Sequence, residues 1–207
     1  RAQPDLTPGE KYLRTLEHLG SGSLISDVSQ YTLNNLQKSY AQLDQGTVEQ
    51  IVDILLRSDR KYIAGFRGTA CCAQYMASKL LFLTPHVVPI LHADATAVEN
   101  LLDITERDCL FLYSFPRYSE IARPLMEIAR ESGAKVILMT DRRTSPLANK
   151  ADVVVTAQVD GLGFTNSYVA PLSLSEVILL SVSGRKDVKD SKRFNRIDSV
   201  MEREKLY

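Results

Sequence analysis

Residues 61–83 read KYIAGFRGTACCAQYMASKLLFL, and this stretch decides the fold class. Lys61 to Gly65 is a short apolar run of strand length, and Cys71 to Phe82 is long enough and apolar enough for a helix. Between them lies a small, polar loop, Gly65-Phe66-Arg67-Gly68-Thr69-Ala70. Outward from here the same rhythm repeats. Further strands are expected at about 86–91, 109–113, 135–140 and 152–157, with helices at 96–102, 120–131 and 173–182. Continuously apolar strands that alternate with helices imply an α/β fold with a parallel sheet covered on both faces. The common order for such an open sheet is 2-1-3-4-5.

Residues 1–60 lack that alternation and read as a helical extension. Thr7-Pro8 opens a helix reaching about Leu19, and Gly20-Ser21-Gly22-Ser23 breaks it. Ile25, Val28, Thr32, Leu36, Tyr40 and Leu43 recur at helical spacing and predict a second helix, ended by Gly46. Thr47-Val48-Glu49-Gln50 reads as a capping box for a third helix that stops near Ser58. From Gly184 the chain is charged and predicts a partly exposed helix or tail.

Composition narrows the function classes. The chain is 44% hydrophobic, and 25 basic residues balance 25 acidic ones. Zero net charge gives no general attraction to nucleic acid or anionic lipid. No apolar run approaches the roughly 20 residues needed to cross a bilayer, so no membrane partner is expected. The N-terminus lacks the charged-then-apolar pattern of a signal peptide. It opens on Arg1 rather than methionine, the look of a fragment with something upstream. Cys71, Cys72 and Cys109 form no C-x-x-C pair, which argues against zinc and disulfides and for buried, reduced thiols in a cytoplasm.

Two strand-to-helix loops stand out. One is residues 65–70; the other, Ser114-Phe115-Pro116-Arg117-Tyr118-Ser119, follows the third strand. In a 2-1-3-4-5 sheet the first and third strands flank the point where strand order reverses, and ligands bind beyond their carboxyl ends. Each loop opens onto a helix N-terminus, whose free N–H groups and positive dipole end favour an anion. Gly65 and Gly68 let backbone approach a ligand, and Thr69, Ser114 and Ser119 offer hydroxyls. Arg67 and Arg117 can add charge-assisted bonds to phosphate oxygens. Tyr118 either stacks on a sugar or covers the loop. The first loop is neither G-x-G-x-x-G nor a Walker A sequence, so no nucleotide cofactor is expected. Arg142-Arg143 with Lys150 reads as isolated surface charge before it reads as a basic patch.

KYIAGFRGTACCAQYMASKLLFL, SFPRYSE (114–120) and GAKVILMTDRRTSPLANKADVVV (133–155) together resemble a SIS (sugar isomerase) domain, more narrowly the effector domain of RpiR/MurR-type transcriptional regulators. The resemblance covers about residues 24–183 and implies a five-stranded parallel sheet between helices. It also implies pairing into a homodimer. In that family the first loop usually reads Gly-x-Gly-Ser-Ser. Here Gly65 keeps the first glycine, Arg67 replaces the second, Gly68 takes the first serine position, and Thr69 keeps a hydroxyl. The second loop usually reads Ser-x-Ser-Gly-x-Thr. Ser114 and Ser119 keep its outer hydroxyls, while Pro116 and Arg117 replace the central Ser-Gly.

Three functions stay open. The first is the sugar-phosphate-sensing half of a regulator, with Gly68, Thr69, Ser114, Arg117, Ser119 and Arg67 as the ligand site. In such regulators a helix-turn-helix domain precedes the SIS domain. Residues 1–60 carry six basic against eight acidic residues, a poor match for a recognition helix. Residues 1–23 therefore read as a linker, and DNA contact is expected through a domain upstream. The second is a sugar-phosphate isomerase with Glu176 as base, since the resemblance puts Glu176 near where SIS isomerases carry a catalytic glutamate. His92, after the second strand, is the other candidate; His18 and His86 are poorly placed. The third is a domain kept only for pairing. Residues 184–207, with eight basic and five acidic residues, read as a solvated or dimer-clasping segment.

Overall fold

The computed structural model describes residues 7–19, 23–163, 165–189 and 192–205. Five strands form one parallel sheet: β1 (Lys61–Gly65), β2 (Val87–Ile90), β3 (Cys109–Tyr113), β4 (Lys135–Thr140) and β5 (Val153–Thr156). Their spatial order is β2-β1-β3-β4-β5, as the sequence implied. The helices are α1 (Pro8–Leu19), α2 (Leu24–Gln42), α3 (Gln45–Arg57), α4 (Ala70–Leu83), α5 (Ala95–Glu99), α6 (Ala122–Glu131), α7 (Val169–Ser183), α8 (Lys186–Lys189) and α9 (Arg193–Arg203). Among the described residues no helix is long and apolar enough to cross a membrane.

Period-two geometry divides the strand side chains between two cores. Ile63, Phe111 and Ile137 enter the layer formed by α3, α4 and α7, with Ile51, Met76, Leu174 and Ile178. Tyr62, Leu110, Leu112 and Leu138 enter the opposite layer, with Ala97, Leu125 and Met126 of α5 and α6. β1 and β3 are buried along their whole length, which explains why they carry no polar face.

The lower ends of these two strands are tied by Asp108, 3% exposed. Its Oδ1 accepts from the Arg60 N–H at 2.9 Å, and its Oδ2 accepts from the Thr105 N–H and hydroxyl at 2.8 and 2.9 Å. Asp108→Ala removes all three bonds and leaves two amides unpaired. The expected loss is about 1.5–3 kcal/mol, read as a lower urea midpoint at unchanged slope.

Several boundaries differ from the sequence reading. Helix α3 starts at Gln45, so Gly46 lies inside it, and its cap is Asp44. The Asp44 side chain accepts from the Thr47 N–H at 2.8 Å and the Thr47 hydroxyl at 2.7 Å. Two bonds to a carboxylate outdo the hydroxyl cap that Thr47 would make, and they hold the Asp44 carboxyl below its ordinary range. Helix α7 starts at Val169 rather than 173, because Pro171 in the first turn forfeits no intrahelical bond there. The break assigned to Gly20, Ser21 and Gly22 lies outside the described residues. Cys71 is exposed on α4 rather than buried, whereas Cys72 and Cys109 are buried. Burial pushes the Cys109 thiol up to about 11.

Helix α2 lies against α7, with the Tyr40 hydroxyl 2.7 Å from Ser173 Oγ. Its buried Asn35 and Ser39 reach the segment between β5 and α7: Asn35 Nδ2 donates to the Asp160 carbonyl, and Ser39 Oγ accepts from the Gln158 N–H at 2.9 Å. From α1, the Thr15 hydroxyl donates to the Leu162 carbonyl at 2.6 Å. Helix α9 packs on α4, and Arg193 Nε donates to the Leu81 carbonyl at 2.8 Å.

Candidate functional site

Gly65 pairs with Tyr113 in the β1–β3 register, so the loops that follow them start side by side at one sheet edge. Each loop is anchored by a buried phenylalanine. Phe66 enters the core beneath α5 and α6; Phe115 enters the core beneath α4 and α7. Residues 67–69 then form a single 3₁₀ turn leading directly into α4. The Thr69 hydroxyl locks that turn, accepting from the Phe66 N–H and donating to the Phe66 carbonyl, both at 2.8 Å.

Between the loops lies a cleft of about 520 Å³. All six residues singled out from sequence line it: Arg67, Gly68 and Thr69 on one wall, Ser114, Arg117 and Ser119 on the other. The Ser114 backbone N–H is spent on the Met139 carbonyl at 3.0 Å, extending the β3–β4 pairing. Its side chain is different. Ser114 is 4% exposed, and its hydroxyl has no hydrogen-bond partner. A buried orphan hydroxyl costs roughly 1–3 kcal/mol, and a ligand oxygen would remove that cost.

Both arginines stand in left-handed backbone, Arg67 at φ 55° and Arg117 at φ 64°. These are the two positions where the resembling family carries glycine. The geometry that glycine makes easy is therefore kept by arginine, at about 1–2 kcal/mol each. Such strain persists only where the surroundings fix the conformation, and it gathers at functional sites. Neither guanidinium joins an ion pair among the described residues. Nearby, two basic groups are paired: Arg142 lies 3.2 Å from Asp141 and Lys150 lies 2.6 Å from Glu127.

The glycines do different work from the ligand approach expected of them. A Cβ on Gly65 would lie 2.6 Å from the Thr69 carbonyl oxygen and 3.0 Å from Ala73 Cβ, so Gly65 lets α4 close against β1. A Cβ on Gly68 would meet the Tyr168 ring at 2.7 Å. Tyr168 also packs edge-on against Phe115, with ring centroids 6.0 Å apart, and so bridges the two loops. Burial pushes its phenol upward.

Tyr168 belongs to a third wall that the sequence reading missed. Thr165, Asn166 and Tyr168, from the segment between β5 and α7, also line the cleft. Asn166 Nδ2 donates to the Pro116 carbonyl at 3.4 Å. The polar run Thr165-Asn166-Ser167-Tyr168 ahead of an apolar helix was the available signal, obscured by placing that helix four residues too late.

The remaining candidates lie elsewhere. Glu176 is exposed on α7 and accepts from the Tyr75 hydroxyl at 2.6 Å, which raises the Tyr75 phenol above its ordinary value. His92 is exposed in the loop after β2, and neither residue lines the cleft. Tyr118 turns away too, donating to Asp141 Oδ1 at 2.7 Å. Beneath the cleft floor, Ser175 donates to the Pro171 carbonyl at 2.8 Å, so its single proton is used and the Tyr113 hydroxyl must donate to Ser175 at 2.7 Å. No group of three or more His, Cys, Asp or Glu residues able to hold a metal occurs among the described residues.

A comparison with curated protein sequences finds no match. Solved structures do match. The sugar isomerase domain of an RpiR transcription factor from Sphaerobacter thermophilus superposes with a TM-score of 0.80 at 22% identity, covering 87% of this chain and 99% of that one. The Vibrio vulnificus NanR protein, complexed with ManNAc-6P, superposes at 0.73 and 17% identity, over 90% of this chain and 71% of that one. A Methanococcus jannaschii protein, with an inferred molecular function of 3-hexulose-6-phosphate isomerase, superposes at 0.62 and 14% identity, over 84% and 96%. At these identities the likeness is one of fold. The family rests on the sequence: residues 54–181, from the end of α3 through most of α7, match the SIS domain, and the chain belongs to that family.

Proposed function

We propose that this chain is the effector-sensing part of an RpiR-type transcriptional regulator, binding a phosphosugar between the loops that follow β1 and β3. The observation that carries this reading is the Ser114 hydroxyl, buried and unpartnered in a cleft onto which α4 and α6 open. A phosphate oxygen supplies the acceptor that such a hydroxyl lacks, and the positive ends of the two helices favour the anion. The NanR structure, with ManNAc-6P bound on the same fold, supports the choice of ligand class.

Regulation rather than turnover is favoured by the composition of the cleft. Among the described residues its lining holds two guanidiniums and no carboxylate or imidazole, the groups that move a proton beside a carbonyl. On this reading DNA is contacted by a helix-turn-helix outside these 207 residues. The chain acts as a homodimer in a cytoplasm; exposed apolar side chains such as Ile25 and Leu180, 88% and 71% exposed, suit an interface. Isomerisation by Glu176 is the second reading, and the isomerase function inferred for the Methanococcus jannaschii relative favours it.

Titration calorimetry against a panel of sugar phosphates that includes ManNAc-6P tests the site. Ser114→Ala is expected to weaken binding by about ten- to a hundredfold, the equivalent of roughly 1.5–3 kcal/mol, with Ser119→Ala acting in the same direction. Binding by both variants at wild-type affinity would refute the clamp. Conversion of a bound sugar phosphate by the wild type, abolished in Glu176→Gln, would replace the regulator with the isomerase.

A further inference from the structure

Arg67 and Arg117 mean more than a phosphate site. They project from two loops set fifty residues apart in sequence, into one cleft, at positions where the backbone conformation favours glycine. Neither is paired with an acidic group among the described residues, and no carboxylate lines the cleft. In a chain of zero net charge, this is a concentration of unneutralised positive charge.

The charge can be counted. Two guanidiniums give two full positive charges, and the N-termini of α4 and α6, helices of 14 and 10 residues, each add roughly half a charge. The total is roughly three. A phosphate monoester carries about −1.5 to −2 at neutral pH. About one positive charge is left over. Within a partly enclosed cleft such a remainder favours a ligand that brings its own second anion.

We propose that the effector is doubly anionic: a phosphosugar with a second acidic group, a carboxylate or another phosphate, set so that each arginine meets one of the two. This deepens the phosphosugar reading and rests on it. The buried Ser114 hydroxyl sets the phosphate in the cleft opposite the turn at Arg67–Thr69. The planar forks of the arginines, on flexible stems and exposed at the rim, can each pair bidentately with an oxyanion. The departures from the family's glycines are thus read as specificity for acidic sugars over neutral ones.

Calorimetry on the full chain with four probes tests this: inorganic phosphate, glucose 6-phosphate, 6-phosphogluconate and fructose 1,6-bisphosphate. At least one doubly anionic sugar is expected to bind tenfold or more tighter than glucose 6-phosphate. Arg67→Gly and Arg117→Gly restore the residue that the backbone favours, so both variants should fold. One of them should erase the preference, weakening the doubly anionic probe about tenfold while changing glucose 6-phosphate less than threefold. Equal affinity of glucose 6-phosphate and both doubly anionic sugars overturns this inference and leaves the phosphosugar reading standing. Equal losses for both probe types in both variants also overturn it, since each arginine would then serve the one phosphate. Binding of ManNAc-6P but of none of the four overturns the inference alone; binding of none of the five overturns the phosphosugar reading with it.

Discussion

Phe111→Ala is expected to lower the unfolding free energy by about 3–5 kcal/mol, the range for deleting a fully buried aromatic ring. Phe111 is 0% exposed at the middle of β3, the central strand of the sheet. In register it is flanked by Ile63 of β1 and Ile137 of β4. Its ring stacks on Tyr113 with centroids 5.0 Å apart and planes at 28°. Relaxation into the cavity is hindered because strands on both sides hold the backbone and the neighbouring layer is made of long helices. For a chain of this length the loss corresponds to a fall in melting temperature of roughly 6–20 °C. A loss below about 1 kcal/mol in denaturant unfolding would show that the layer collapses onto the gap, contrary to this account.

Gly65→Ala should act on binding more than on stability. The new Cβ would sit 2.6 Å from the Thr69 carbonyl oxygen, a backbone atom that no rotamer change can move aside. The turn and the start of α4 must therefore shift, displacing Arg67, Gly68 and the Thr69 bonds together. Overpacking of this kind costs about 1–3 kcal/mol. Ångström-sized misplacement at a preorganised site costs on the order of a hundredfold, and that is the expected loss in sugar-phosphate affinity. Gly68→Ala is the comparison: the atoms it meets are the far end of the Tyr168 ring and not backbone, so a smaller loss is expected there. Equal losses from the two substitutions would refute the role given to Gly65.

Much of this was legible in the sequence because central parallel strands have no polar face. Lys61–Gly65, Cys109–Tyr113 and Lys135–Thr140 were bounded to the residue, since a continuous apolar run followed by small or polar residues has one natural reading. The adjacency of the two candidate loops followed from strand order alone. Local competition was harder to read. Asp44 and Thr47 both offer a cap, and the choice depends on two simultaneous bonds that spacing does not reveal. Thr69 looked like a ligand donor, but its proton serves the turn that shapes the loop. The left-handed backbone at Arg67 and Arg117 contradicts residue preference, and only coordinates expose it. Tyr168 escaped notice because it reaches the cleft through a tertiary contact with Gly68 and Phe115, not through any motif.

The segment between β5 and α7 faces two ways. Asn166 and Tyr168 meet the cleft, while the Gln158 amide and the carbonyls of Asp160 and Leu162 are held by Ser39, Asn35 and Thr15 of the N-terminal helices. Thermodynamic linkage gives this arrangement a definite meaning. If occupancy of the cleft changes the free energy of those bonds, then any restraint on α1 and α2 changes ligand affinity by the same factor, because coupling is reciprocal. In that case the N-terminal helices and the cleft are two handles on one equilibrium, and a measurement made at either one reports on both.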